Sequence, residues 1–444
     1  MDYPKNTSPD PHEVPGALKI ERVVAGGDGI ARHGDGRVVF VPRTAPGEQV
    51  EVRYTEEHRQ WLRARLVRVV EPSPHRRAAA CPYYDACGGC QLQHLDYDTQ
   101  LSVKAEIVAD SLRRLGGFDV GAPGIVASPR EFEYRNRIGL VLRRHPGGSV
   151  VGYHMFDNPS RLLAVDQCPL ADRSINDAWS NIADTLERIG DLAPVDAEWR
   201  LTFRASSKGE VGLTIEGPDR PQRIRRSVVE SLIDKGLVAV WTVNDEGRII
   251  AHAGAESLAE TWGAYEIPLA GTVFVQANRE AAELLDACVY EECRVVAGDR
   301  VVDAYCGFGL RTFELARAGA SVVGIDYDRH AIRAATGIGT EKNLPVRFVA
   351  ERVENALAQE LPADTVILNP PRSGIDPDVV AALLGHPPDR IIYVSCNPAT
   401  LARDLRGLAP RFAPETVKAY DLFPQTAHVE AVVTLTRRPP ESPV

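Results

Sequence analysis

Between positions 300 and 395, five short runs rich in β-branched and apolar residues alternate with helical stretches. The runs cover 300–303, 321–326, 346–350, 364–369 and 390–395. Parallel strands need a crossover of a dozen or more residues, usually a helix. This alternation therefore predicts a doubly wound parallel sheet. Such sheets bind ligands beyond the carboxyl ends of their strands, and here those ends carry chemistry. Cys306-Gly307-Phe308-Gly309 follows the first run, with a helix predicted over 312–318, and Asp326 closes the second. Asn369-Pro370-Pro371-Arg372 ends the fourth, and Ser395-Cys396-Asn397-Pro398 ends the fifth.

A Gly-x-Gly turn followed by an acid at the end of the next strand suits a nucleoside-bearing ligand, with Asp326 bonded to ribose hydroxyls. The third glycine of a dinucleotide fingerprint would fall at Thr312. Its absence favours S-adenosylmethionine, which has no pyrophosphate to cradle, over NAD. Cys396 has two readings, a nucleophile at the ligand-binding rim or a buried packing residue.

A chain of 444 residues exceeds one ordinary core, so two or three domains are expected. Residues 16–75 carry strand candidates at 18–24, 38–41, 49–54 and 61–70, with glycine-rich turns at 26–29 and 35–36 and a Pro-Gly turn at 45–47. This predicts a small β-barrel of OB type. The net charge of −10 argues against a nucleic-acid partner. Between Lys19 and Arg77, however, 12 Lys+Arg face 8 Asp+Glu. Arg43, Arg53, Arg63, Arg65 and Trp61 can form an RNA-binding face on the barrel; the alternative is a solvated charged surface. No run of 18 apolar residues is present, which excludes a membrane-spanning segment. Residues 1–15 lack the apolar core of a signal peptide and read as a disordered tail, as do 439–444. The expected location is the cytoplasm.

Eight cysteines in a large cytoplasmic chain point to metal binding or catalysis. Cys81, Cys87 and Cys90 are spaced C-x5-C-x2-C around two glycines, and Cys168-Pro169 lies far downstream. Four thiolates with uneven spacing suit a [4Fe–4S] cluster better than structural zinc, which favours paired knuckles. Zinc stays the alternative. The region 76–265 reads as a central α+β domain, with a helix over 101–115 and a strand over 138–142. Arg135 and Arg137 precede that strand, either reaching RNA phosphates or facing solvent. Residues 266–438 form the expected C-terminal domain, with a helix over 279–289. Cys288, Cys293 and Cys306 read as structural.

These motifs together resemble the bacterial RNA (uracil-5-)-methyltransferases, and more narrowly the large-subunit rRNA enzymes. The resemblance runs from about residue 16 to 438. Gly27-x-Gly29-x-Ala31 and Val39-Phe40-Val41-Pro42 resemble a TRAM domain, and the cysteine quartet resembles the family's iron–sulfur ligands. Phe274-Val275-Gln276-Ala277-Asn278 is similar to the motif supplying a cofactor-binding glutamine. Ser395-Cys396-Asn397-Pro398-Ala399-Thr400 is similar to the nucleophile motif, and Phe423-Pro424-Gln425-Thr426-Ala427-His428-Val429-Glu430 to the one holding the general base. The resemblance implies Cys396 as nucleophile, Glu430 as base, and Gln276, Tyr305, Asp326 and Asn369 at S-adenosylmethionine. It also implies 23S rRNA, or a pre-assembly fragment of it, as substrate, with tRNA as runner-up. A non-catalytic RNA-binding module is a further alternative. No DNA or membrane partner is implied, and a monomer is the default. Two positions depart from the pattern: Asn369 replaces the usual aspartate, and Leu310 stands where asparagine is common.

Overall fold

The computed structural model describes residues 17–439 except 146–147, 191–192, 196, 218–223, 225, 245–247 and 272. The two expected tails, apart from Pro439, and Thr272 lie outside the described residues.

The N-terminal sheet has six strands in the spatial order Leu18–Lys19, Gln49–Glu57, Trp61–Glu71, Val38–Pro42, Asp28–Arg32, Arg22–Val23. Alternate residues Val39, Val41, Val50, Val52, Leu62 and Ala64 form its core, as the two-residue period of a strand requires. The turn expected over 26–29 is only partly one. In fact Gly26 and Gly27, both at positive φ, make the turn, and a strand begins at Asp28. Gly29 lies inside that strand, where a Cβ would come within 2.1 Å of Thr44 Oγ1. The expected strand over 18–24 is two short pieces.

The central sheet has seven strands, ordered Leu162–Ala164, Gly148–His154, Arg137–His145, Glu198–Ala205, Val211–Glu216, Ala239–Val243, Ile249–Gly254. The helices Arg173–Gly190 and Arg226–Asp234 pack against it and each other. Trp179, Ile182, Leu186, Leu201 and Phe203 fill the layer between. Trp241 instead joins the apolar cluster that continues into the C-terminal domain through the hairpin Leu258–Trp262 and Tyr265–Leu269.

The C-terminal sheet follows the order Val346–Ala350, Ser321–Asp326, Arg300–Ala304, Thr365–Leu368, Arg390–Ser395, Glu430–Arg437, Phe412–Tyr420, Gly124–Val126. The first five strands are parallel. Glu430–Arg437 runs antiparallel to both its neighbours. The last strand comes from the region expected to be central: Gly124–Val126 pairs with Lys418–Tyr420. The preceding helix, Tyr97–Ser111, packs on the helix Pro398–Leu408 and on Phe412–Tyr420. Residues 97–126 therefore belong with the C-terminal domain. That helix starts before the expected position 101 because Asp96 caps it, accepting from Thr99 N at 2.7 Å. It runs on through a π-helical turn, Leu112–Gly116, and ends at Gly117 with φ +76°. Among the described residues no helix is long and apolar enough to cross a membrane.

On this helix Lys104 is fully buried and donates to Asp421, also fully buried, at 2.5 Å and to Phe423 O at 3.0 Å. Removing one member of such a pair strands the other charge, at a cost of about 3–5 kcal/mol. Lys104→Met should lower stability by about that amount in a denaturant melt, and the double variant Lys104→Met/Asp421→Asn should recover part of the loss.

Candidate active site

The register of two antiparallel strands brings the two principal residues together. Ser395 lies opposite Ala431; extending that register by one residue sets Cys396, just beyond its strand, opposite Glu430 at the carboxyl end of the parallel strands. Glu430 is 4% exposed, a buried carboxyl and not a surface one. Cys396 is half-buried. Both line one cavity of about 680 Å³ together with Gln276, Tyr305, Asp326 and Asn369. All six residues singled out from the sequence thus share a space of the size that takes a small ligand.

Local chemistry fixes each wall. Asn397 caps the helix Pro398–Leu408, accepting from Ala399 N, and donates through Nδ2 to Arg372 O at 3.2 Å. Thr400 Oγ1 donates to the same carbonyl. Tyr393 OH donates to Asp404, which also accepts from Ile375 N. The cysteine turn and the Asn369-Pro370-Pro371-Arg372 loop are therefore locked to each other. Asp326 accepts from Gly307 N at 2.9 Å and Asp328 N at 2.8 Å, which sets its carboxylate at the cavity. Tyr305 sits at φ +66°, an unusual conformation for a non-glycine residue, where the chain leaves its strand. The following helix starts at Leu310, not the expected 312. Thr312, in place of a fingerprint glycine, donates to buried Asp303 at 2.7 Å.

The electrostatics favour protonated, neutral groups. Burial pushes the Glu430 carboxyl up to about 8, against the pull of the Arg311 and Arg372 guanidiniums. Burial also raises the Cys396 thiol; a charged Glu430 raises it further, and Arg372 draws it back down. Burial, with Arg372 and Arg135 nearby, holds His428 down at about 4, a neutral imidazole at pH 7.

Three arginines change their expected places. Arg135 and Arg137 line the cavity, not open solvent, and Arg137 stands 5.9 Å from the Phe274 ring centroid. Arg43 does not belong to an exposed barrel face. It lies between the Tyr84 and Phe156 rings, 4.2 and 4.1 Å from their centroids, and donates to Cys87 O. Arg63 is engaged with Asp28 at 2.8 Å, while Arg53 and Arg65 are exposed. Trp61 stacks on His58. Arg372 and His428 line the cavity but were not singled out individually. Their signal lay in the motifs themselves, as the last residue of Asn-Pro-Pro-Arg and the histidine two places before Glu430. Among the described residues no three His, Cys, Asp or Glu side chains gather closely enough to hold a metal ion. Cys81, Cys87, Cys90 and Cys168 instead line a single cavity of about 50 Å³. Cys81 N donates to Gln93 Oε1, and the backbone of Cys168 is bonded at both ends to the Asn176 amide.

Comparison with known proteins matches residues 264–438 to the tRNA (uracil-5-)-methyltransferase family model and 17–67 to the TRAM domain. An RNA methyltransferase of Gloeobacter violaceus, itself uncharacterized, is 35% identical over 95% of this chain and 96% of its own length. The chain belongs to the RNA (uracil-5-)-methyltransferase family. A second such relative, from Synechocystis, is 33% identical across 92% of this chain and 93% of its own. The crystal structure of the Pyrococcus abyssi tRNA (uracil-54, C5)-methyltransferase, in complex with S-adenosyl-L-homocysteine, superposes with a TM-score of 0.71 at 26% identity. It covers 94% of this chain and all of the archaeal one. For this family member the N-terminal sheet is the TRAM domain, and the eight-stranded sheet carries the methyltransferase fold.

The buried carboxyl has a measurable cost. An unfolded glutamate titrates near its ordinary 4.5, whereas folded Glu430 holds its proton to about 8. Stability therefore falls as pH rises between these values, because the unfolded chain releases a proton that the folded one keeps. Glu430→Gln has no proton to lose. Its melting temperature should match wild type near pH 4.5 and exceed it progressively towards pH 8.

Proposed function

We propose that this protein forms 5-methyluridine in RNA, with Cys396 as nucleophile, Glu430 as general base and S-adenosylmethionine as methyl donor. The observation that carries this reading is that Cys396 and Glu430, at the ends of adjacent paired strands, line one cavity. Gln276, Tyr305, Asp326 and Asn369 would hold the cofactor there, Asp326 through the ribose hydroxyls. S-adenosylmethionine, when bound, supplies an electrophilic methyl group.

Uracil C5 is a weak nucleophile by itself. The Cys396 thiolate adds to C6, forming the S–C6 bond and moving the C5=C6 electron pair onto C5 and the adjoining carbonyl. Arg372 is the cation that favours the thiolate. Glu430 first releases its own proton to solvent; once C5 carries the methyl group, the resulting carboxylate removes the C5 proton. The electron pair re-forms C5=C6 and expels the thiolate. A base with a pKa of about 8 is well matched to accept and later release a proton near neutral pH. Cys396 is the sole cysteine lining this cavity among the described residues. That favours uracil over cytosine, whose C5-methylating enzymes commonly use a second cysteine. The uridine must leave its stack to enter.

The RNA we assign is large-subunit (23S) rRNA, on the resemblance of the TRAM domain and cysteine quartet. A tRNA is the second reading, favoured by the Pyrococcus abyssi relative, which acts on uracil 54 of tRNA. For the quartet we propose a [4Fe–4S] cluster held by Cys81, Cys87, Cys90 and Cys168. One water-sized body needs about 10–15 Å³ of such space, so a cavity of about 50 Å³ has room for more than a single ion. Its chemistry would be structural, tying 81–90 to the segment around Cys168.

Wild type and Cys396→Ala should be incubated with labelled S-adenosylmethionine and unmodified rRNA or tRNA, with nucleoside analysis of the products. The expected product is 5-methyluridine in rRNA, absent from the variant. Product confined to tRNA moves the substrate to the second reading, and unchanged methylation by the variant rejects the nucleophile. Anaerobically purified protein should be brown, with broad absorption near roughly 400 nm. A colourless preparation containing zinc would reject the cluster.

A further inference from the structure

The chain reaches Glu430 through an irregular turn, residues 421–429, and this turn rests on the cysteine loop. Gln91 N and Leu92 N both donate to Gln425 O, at 3.1 and 2.9 Å. Gln91 Oε1 accepts from Ala427 N at 3.3 Å, while its Nε2 donates back to Gly88 O at 3.1 Å. One side chain thus joins the loop holding Cys87 and Cys90 to the backbone three residues before Glu430.

Gln425 completes the junction. It is fully buried, at φ +71°. Its Oε1 accepts from Arg77 and from Gln100, each at 3.0 Å, and its Nε2 donates to Glu131 at 3.1 Å. Gln100 Oε1 accepts from its backbone N at 2.9 Å. The nucleophile is anchored elsewhere, through Asn397 and Thr400 to Arg372 O. Base and nucleophile share the pairing of their strands and the contact of Arg372 with His428, but among the described residues the cysteine loop is bonded to the base's turn and not to the nucleophile's.

We propose that Gln91 is a positioning residue for Glu430, so that the order of the cysteine loop sets the rate of C5 proton removal without setting the rate of covalent addition. This rests on the reading of Glu430 as the base. A shift of about 1 Å in a catalytic group can cost about a hundredfold, whereas addition to C6 requires only Cys396 in place. Loosening this contact should therefore separate two steps that a general loss of folding would slow together.

The test uses full-length holoenzyme, S-adenosylmethionine and a transcript carrying tritium at uridine C5, rRNA or tRNA according to which gives product. Covalent adduct is read on a denaturing gel and proton removal as tritium release. Gln91→Ala should form adduct at the wild-type rate, accumulate it, and release tritium about ten- to a hundredfold more slowly. Gln91→Glu keeps the oxygen that Ala427 N requires but loses the donation to Gly88 O, and should release tritium faster than Gln91→Ala. Gln425→Asn tolerates the left-handed backbone but is too short for its three partners, and should show the same split as Gln91→Ala. Wild-type tritium release by Gln91→Ala overturns the proposal. So does a parallel fall in both steps that Gln91→Glu does not relieve. Glu430→Gln is the control: if it accumulates adduct while Gln91→Ala does not, only the positioning role fails. If Glu430→Gln shows no adduct despite methyl transfer, the base assignment itself falls and this proposal with it.

Discussion

The turn before Glu430 has little regular hydrogen bonding of its own, and the molecule is assembled around supplying it. A buried backbone group without a partner costs on the order of 1–3 kcal/mol, and this turn offers many. Asp421 takes Lys104 from the long helix, Leu422 O takes the Asn278 amide, and Pro424 O takes Tyr134 OH. Gln425 draws on Arg77, Gln91, Leu92, Gln100 and Glu131. The partners come from the linker after the TRAM domain, the cysteine loop, the helix and the central domain. The relative placement of these parts follows from satisfying one turn.

Strand register does the complementary work on the chemistry. Antiparallel pairing of Arg390–Ser395 with Glu430–Arg437 fixes which residues meet at the sheet's rim. A one-residue slip would turn every side chain of a strand to the other face. Two acids side by side in an apolar setting keep their protons, and Arg311 and Arg372 moderate this for Glu430. The site therefore rests neutral and becomes charged as the reaction demands. That arrangement lowers the desolvation cost of holding a carboxylate and a thiolate together in a buried place.

What the sequence displayed was local. The residues at the strand ends, Cys396, Asp326 and the Asn369 loop, stood out because the βαβ alternation placed them, and the cavity gathers them as that alternation implies. The strand Asp28–Arg32 was hidden because its glycines read as turn signals, though Gly29 serves close packing against Thr44. Arg43 looked like a free basic residue, because the two rings that enclose it lie 41 and 113 positions downstream (Tyr84, Phe156). Gln425 lies within a recognisable motif, but nothing local distinguishes a buried residue with five distant partners from a turn residue. The pairing of Gly124–Val126 with a strand near the C-terminus was equally invisible, since register between remote segments leaves no periodic mark.

That remote pairing bears on how the chain is made. Lys104 and Asp421 are separated by 317 positions. At a synthesis rate of about 5–20 residues per second, the lysine waits roughly 15–60 s for its counter-ion. Throughout that interval the helix Tyr97–Ser111 has no sheet to lie on, and its charged face has no acceptor. The TRAM domain, complete by residue 71, can fold as it emerges, whereas the catalytic sheet closes only once the strand Glu430–Arg437 has been made. Residues 264–438 by themselves lack both an edge strand and the cation paired with Asp421, so the segment recognisable in sequence is smaller than the structural unit it belongs to.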